Sequence, residues 1–170
     1  MSSVSDINER IARTWLDLAE ENRGSGRFHV SYTVFRSILR GYAPTPDELS
    51  GMTALAPDEA GALIDSMLNE GRLRSRQDDG RIIGAGGLSL DPARQSLKIG
   101  TRTFGTWCAL DAVGIPAGLE IDAIVTATCD DTGEPVSIRI EEGKVVETTP
   151  SDLVVSLAPA SVAIEVYSHL

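Results

Sequence analysis

The apolar residues of this chain keep two different periods, and the change from one to the other falls near residue 92. Upstream they recur every three or four positions, as on one face of a helix. Downstream they alternate, or cluster as β-branched runs broken by Gly, Pro, Asp and Thr, as in strands. Ile7, Ile11, Trp15 and Leu18 predict a first helix that stops at Arg23-Gly24-Ser25-Gly26. A second runs from about Ser31 to Leu39, with Val34, Phe35, Ile38 and Leu39 inward, and ends at Gly41. Thr45-Pro46-Asp47-Glu48 opens a short third helix with an N-cap, a proline and first-turn acids. Ala56-Pro57-Asp58-Glu59 opens a fourth, in which Ala60, Leu63, Ile64, Met67 and Leu68 share a face before Gly71.

Residues Leu73 to Leu90 turn β-branched around Asp79-Gly80, a dipeptide suited to a two-residue hairpin turn. Three helices followed by a hairpin outline a winged helix-turn-helix. Gly84-Ala85-Gly86-Gly87 is followed by strand-like Leu88-Ser89-Leu90 and not by a helix, which argues against a phosphate loop. Strands are expected at Ser96 to Ile99, Ala123 to Ala127, Val136 to Ile140, Lys144 to Glu147, Leu153 to Leu157 and Ala163 to Tyr167, with one inserted helix from near Thr106 to near Pro116. The fold class is therefore α+β: a winged-helix-like helical domain over 1–92 and an antiparallel sheet domain with an inserted helix over 93–170.

A chain of 170 residues with 42% hydrophobic and 24% charged residues is long enough to bury a core. The net charge of −10 argues against nucleic acid as the main partner, because phosphate binding is built from Lys and Arg. Asp58, Glu59, Asp65 and Glu70 fall on the helix that would enter a major groove, and only the hairpin arginines Arg72, Arg74, Arg76 and Arg81 speak for DNA. No stretch has the length of a membrane span, and the N-terminus lacks a signal-peptide core, so a cytoplasmic protein is expected. Two cysteines, Cys108 and Cys129, are too few for a disulfide framework and read as reduced thiols.

Within Thr106-Trp107-Cys108-Ala109-Leu110-Asp111, a helix would place the Cys108 thiol and the Asp111 carboxyl on one face, within reach of one small ligand. Near a helix N-terminus the dipole would favour the thiolate. That pairing suits capture of a soft metal followed by donation of a proton. The structural alternative stays open: Cys108 as a small buried hydrophobe, Asp111 on the solvated side.

WCALDAVGIPAG, continued by IDAIVTATCDDTGEPVSIRI, resembles the organomercurial lyase (alkylmercury lyase) family over roughly residues 30–157. The DGRIIG hairpin, the GLSL strand and the VVSL strand agree with the family's order of segments. The resemblance implies protonolysis of a carbon–mercury bond without a required cofactor. Thiolates take the mercury, an aspartate protonates the departing carbon, and Hg(II) stays bound as product. On this reading Cys108 is the first catalytic cysteine and the mercury ligand, Asp111 the proton donor, Trp107 a wall of the pocket, and Cys129 a structural residue.

The family's second catalytic cysteine lies in a Phe-Cys-x-His-Val segment near the C-terminus. Here the matching stretch is Val166-Tyr167-Ser168-His169-Leu170, so Tyr167 or Ser168 stands in its place and lines the substrate pocket, while His169 is expected to be solvated. Soft Hg(II) prefers thiolate to phenol or hydroxyl. The expectation is an enzyme of this type acting on a small organic or organomercurial substrate, with carbon–mercury cleavage weakened or reassigned, for example to biosynthesis. The alternatives are a non-catalytic metal or small-molecule binder and, behind it, a winged-helix regulator.

Overall fold

The structure, a computed structural model, describes residues 25–155. The helix expected at Ile7 to Leu18, the strand at Ala163 to Tyr167, and residues Tyr167, Ser168 and His169 lie outside the described residues. In chain order the described elements are α1 (Gly26–Leu39), α2 (Pro46–Met52), α3 (Pro57–Asn69), β1 (Leu73–Ser75), β2 (Ile82–Ala85), β3 (Leu88–Ser89), β4 (Gln95–Ile99), β5 (Arg102–Thr106), α4 (Ala109–Leu119), β6 (Ala123–Thr128), β7 (Pro135–Glu141) and β8 (Lys144–Thr149).

Helix α1 begins inside the expected break. Ser25 is its N-cap, and its side chain accepts from the Phe28 N–H at 3.2 Å, so the residues read as a flexible stop supply the start signal of the next helix. In α2 the anticipated cap is a full capping box: the Glu48 N–H donates to Thr45 Oγ1 at 3.2 Å, and the Thr45 N–H donates to Glu48 Oε2 at 2.8 Å. The Asp79-Gly80 hairpin is wider than a two-residue turn. The Arg76 N–H donates to the Arg81 carbonyl at 2.8 Å, which leaves Gln77, Asp78, Asp79 and Gly80 as the loop.

All eight strands form one sheet in the order β1-β2-β3-β5-β4-β6-β7-β8, with every neighbouring pair antiparallel. The sheet thus runs without interruption across residue 92, because β3 pairs with β5 through Leu88 and Thr106. Strand β5 escaped the sequence reading: Arg102 to Thr106 carries little apolar alternation, and Gly100, at φ +58, makes the tight reversal from β4. Leu153 to Val155, expected to start a strand, carry no regular structure.

Leu97, Phe104, Val125 and Ile138 lie in register across β5, β4, β6 and β7, and all four are buried. Helix α4 packs on these strands, while α1 packs on β2 and β3. Val30, Val34 and Ile38 of α1 and Ala112 of α4 belong to the same buried cluster as the strand residues. The alternate positions Lys98, Ile124 and Arg139 are exposed, as expected for an antiparallel sheet with one solvated face.

Candidate active site

Strand β5 ends at Thr106, whose side chain is buried and whose hydroxyl donates to the Cys108 carbonyl at 3.2 Å. The Trp107 N–H donates to the Gly87 carbonyl at 3.0 Å, which ties the chain leaving β5 to the β2–β3 turn. Cys108 follows in extended conformation, φ −148 and ψ 171, as the N-cap of α4. The inserted helix therefore starts at Ala109 and not near Thr106. Cys108 and Asp111 meet by capping, not as neighbours on a helix face.

The Cys108 N–H donates to Asp111 Oδ2 at 3.0 Å, and the Cys108 sulfur occupies the position of the Ser or Thr hydroxyl in a capping box, over the Asp111 N–H. Asp111 takes the place of the usual Glu or Gln. The sequence folds this way because the first-turn N–H groups have no partners within the helix, and these two side chains supply acceptors. Cys108 and Asp111 are thus gathered at the N-terminus of α4. Both residues, and Trp107, are half-buried, so the pair is reachable.

Arg74 of β1 lies with its guanidinium carbon 4.6 Å from the Trp107 ring centroid, a cation–π contact. The Trp107 Nε1 atom is buried and has no hydrogen-bond partner among the described residues. The other hairpin arginines serve the fold: Arg76 pairs with Asp79 and Asp91, and Arg81 with Glu48 and the Ala43 carbonyl at 2.7 Å. Spacing marked these arginines only as a basic hairpin. Arg74 as cover for Trp107 had no signal in the sequence, because the two residues are joined only by sheet pairing.

Cys129 sits on a different connection, the β6–β7 turn. Its N–H donates to the Glu134 carbonyl at 2.8 Å, and its own carbonyl accepts from the Gly133 N–H at 2.9 Å. The Thr132 hydroxyl first, then the backbone N–H groups of Thr132 and Asp131, hold the Cys129 thiol below the usual thiol range. Among the described residues, no group of three or more His, Cys, Asp or Glu side chains could hold a metal ion. A groove of about 320 Å³ on the open face of the sheet includes Lys98, Asp122, Ile124 and Arg139 but none of the expected site residues.

Residues 88–166 match the family model of the alkylmercury lyases, a span that takes in Trp107, Cys108, Asp111 and Cys129. An alkylmercury lyase of Bacillus cereus is 27% identical over 157 residues, covering 90% of this chain and 68% of the relative. One of Streptomyces lividans is 31% identical over 129 residues, covering 74% of this chain and 58% of the relative. The chain is similar to the alkylmercury lyases. The crystal structure of the mercury-bound form of MerB2 has the same fold, with a TM-score of 0.69 and 28% identity over 74% of this chain and 61% of that one. The chain has only two cysteines in its sequence, and among the described residues no helix is long and apolar enough to cross a membrane.

Proposed function

We propose that the chain is an alkylmercury-lyase-like enzyme that uses Cys108 and Asp111 on a small organomercurial or related organic substrate. One observation supports the reading: the Cys108 backbone N–H donates to Asp111 Oδ2 at 3.0 Å, so the residue that bears the thiol and the carboxyl share one half-buried helix N-terminus. For an organomercurial R–Hg–X, where X is a halide or a small thiolate, Cys108 Sγ bonds to mercury as the Hg–X bond breaks and X⁻ leaves to solvent, from which it can rejoin the Hg(II) product, while the thiol proton passes to the Asp111 carboxylate. The carbon–mercury bond then breaks with its electron pair on carbon, Asp111 returns the proton to that carbon, and the hydrocarbon leaves with Hg(II) on sulfur. Mercury is substrate and product here, and the residues call for no cofactor.

With Tyr167 or Ser168 where the family resemblance places a further cysteine, the second thiolate exchange loses its soft ligand, so we read carbon–mercury cleavage as slowed or reassigned. The protein is taken to act in the cytoplasm. We read α1 to α3 with β1 and β2 as winged-helix-like but not as a DNA reader, since α3 carries acids and no base while Arg74, Arg76 and Arg81 are engaged internally.

A second reading, a metal or small-molecule binder without catalysis, is favoured by the capping box itself, because it gives Asp111 a structural reason to stand beside Cys108. One tube separates the two: incubation with methylmercury or phenylmercury, with bound mercury and released methane or benzene measured together. Hydrocarbon released in proportion to bound Hg(II) supports the enzyme. Stoichiometric binding with no hydrocarbon supports the binder.

A further inference from the structure

The β2–β3 turn runs against the α4 N-terminus, and Gly87 is its buried residue, with φ +83. A Cβ built on Gly87 would lie 2.3 Å from both Cγ and Oδ1 of Asp111 and 2.8 Å from its Cβ. Those are far inside van der Waals contact, closer than real Cβ atoms come to unbonded neighbours, so a side chain at 87 and the carboxyl in its present place exclude each other. The same residue accepts the Trp107 N–H through its carbonyl at 3.0 Å. One residue therefore holds the backbone one step ahead of Cys108 and leaves room for the Asp111 side chain where it stands.

We propose that Gly87 is a positioning residue for the Cys108–Asp111 pair: its bare Cα seats the Asp111 carboxyl beside the thiol, and any side chain at 87 expels it. Gly86 supplies the control. It too is left-handed, at φ +58, but the nearest atoms a Cβ there would meet belong to the Phe35 ring, at 3.3 Å. Strain from a left-handed backbone is common to both glycines. Collision with Asp111 belongs to Gly87 alone.

The proposal rests on the catalytic reading of Asp111 only for its activity arm, and the test keeps the two apart. Thermal unfolding of the full chain is compared for Gly87→Ala, Asp111→Ala, the double variant and Gly86→Ala. Asp111→Ala removes both atoms that would lie at 2.3 Å, so the melting loss caused by Gly87→Ala should shrink in that background by about 3 °C or more, a coupling between touching side chains. If Gly87→Ala does not fold, folding of the double variant gives the same support. Additive losses, or failure of both variants to fold, overturn the proposal, since backbone strain alone would then account for Gly87.

In the activity arm, folded Gly87→Ala should release hydrocarbon from phenylmercury at least ~10-fold more slowly, since a displaced acid loses part of the roughly 100-fold or more that one acid–base group contributes. Its binding of Hg(II) should stay within about threefold of the parent, since the Cys108 ligand is kept, and Gly86→Ala should keep the parent rate. An unchanged rate in Gly87→Ala overturns the proposal. A parent protein that releases no hydrocarbon but shows the thermal coupling leaves Gly87 a positioning residue and removes only the catalytic reading.

Discussion

The Cys108 N–H and Asp111 Oδ2 are 3.0 Å apart, so the carboxylate that would deliver a proton is also the group that starts helix α4. Stability and chemistry are superimposed on one bond, and the useful variants are those that pull them apart.

Asp111→Asn retains a side-chain carbonyl to accept the Cys108 N–H but carries no acidic proton. Hydrocarbon release should fall by about 100-fold or more while the melting temperature stays within a degree or two. Asp111→Ala loses the acceptor as well, and an unfilled helix start costs about 0.5–2 kcal/mol. Calorimetry and product analysis on both variants check the split. Equal activity in Asp111→Asn and the parent would remove the proton-donor role.

Serine is a preferred N-cap residue, so Cys108→Ser should hold or raise the melting temperature. The same change replaces a soft ligand by a hard one and should abolish Hg(II) binding at this position. A purely structural Cys108 predicts no change in mercury stoichiometry, which titration of the variant decides.

Arg74→Met keeps much of the side-chain length but removes the cation over Trp107, a contact worth about 0.5–2 kcal/mol depending on exposure. With Trp15 replaced by Phe, Trp107 is the sole tryptophan. Its emission should move to longer wavelength in Arg74→Met as the ring loses cover. An unchanged spectrum would show that the guanidinium does not rest on the ring in solution.

Thr132 and the turn N–H groups hold the Cys129 thiol below its ordinary value in the folded protein. The unfolded chain binds the proton more tightly, so this contribution to stability is fully present above the ordinary thiol value, about 8.5, and is lost as pH falls through the folded value. Alkylation of Cys129 in the Cys108→Ser background should therefore be half-maximal at a lower pH in the folded than in the unfolded protein, and Thr132→Val should move the folded midpoint upward. Coincident midpoints for the two proteins would refute the hydroxyl's part.

Helices α2 and α3 were legible because their signals are local: Thr45, Pro46 and Glu48 in one, Pro57 and the Ala60, Ile64, Met67 stripe in the other. The Cys108–Asp111 pairing was legible from spacing, although its cause was misassigned. A three-residue step serves a helix face and a capping box alike, and sequence does not tell which residue leaves the extended state first. What stayed hidden was non-local. Gly87 stood in a glycine cluster that resembled a loop, and nothing near it in sequence announces a carboxyl 24 positions later. Strand β5 was missed because Gly105 and the polar residues beside it mask the alternation, and its place comes from two flanking partners, β3 and β4.

The pairing of β3 with β5 has a mechanical meaning. It is the seam by which the helical half of the chain is sewn to the half that carries the thiol, and it is only two residues long on the β3 side. Cutting the protein at residue 92 would open a raw sheet edge on both pieces and leave Trp107 without Arg74 and Gly87. The thiol and the carboxyl are borne by one half but packed against the other, so a fragment that keeps both Cys108 and Asp111 would still lack the Gly87 and Arg74 contacts beside them.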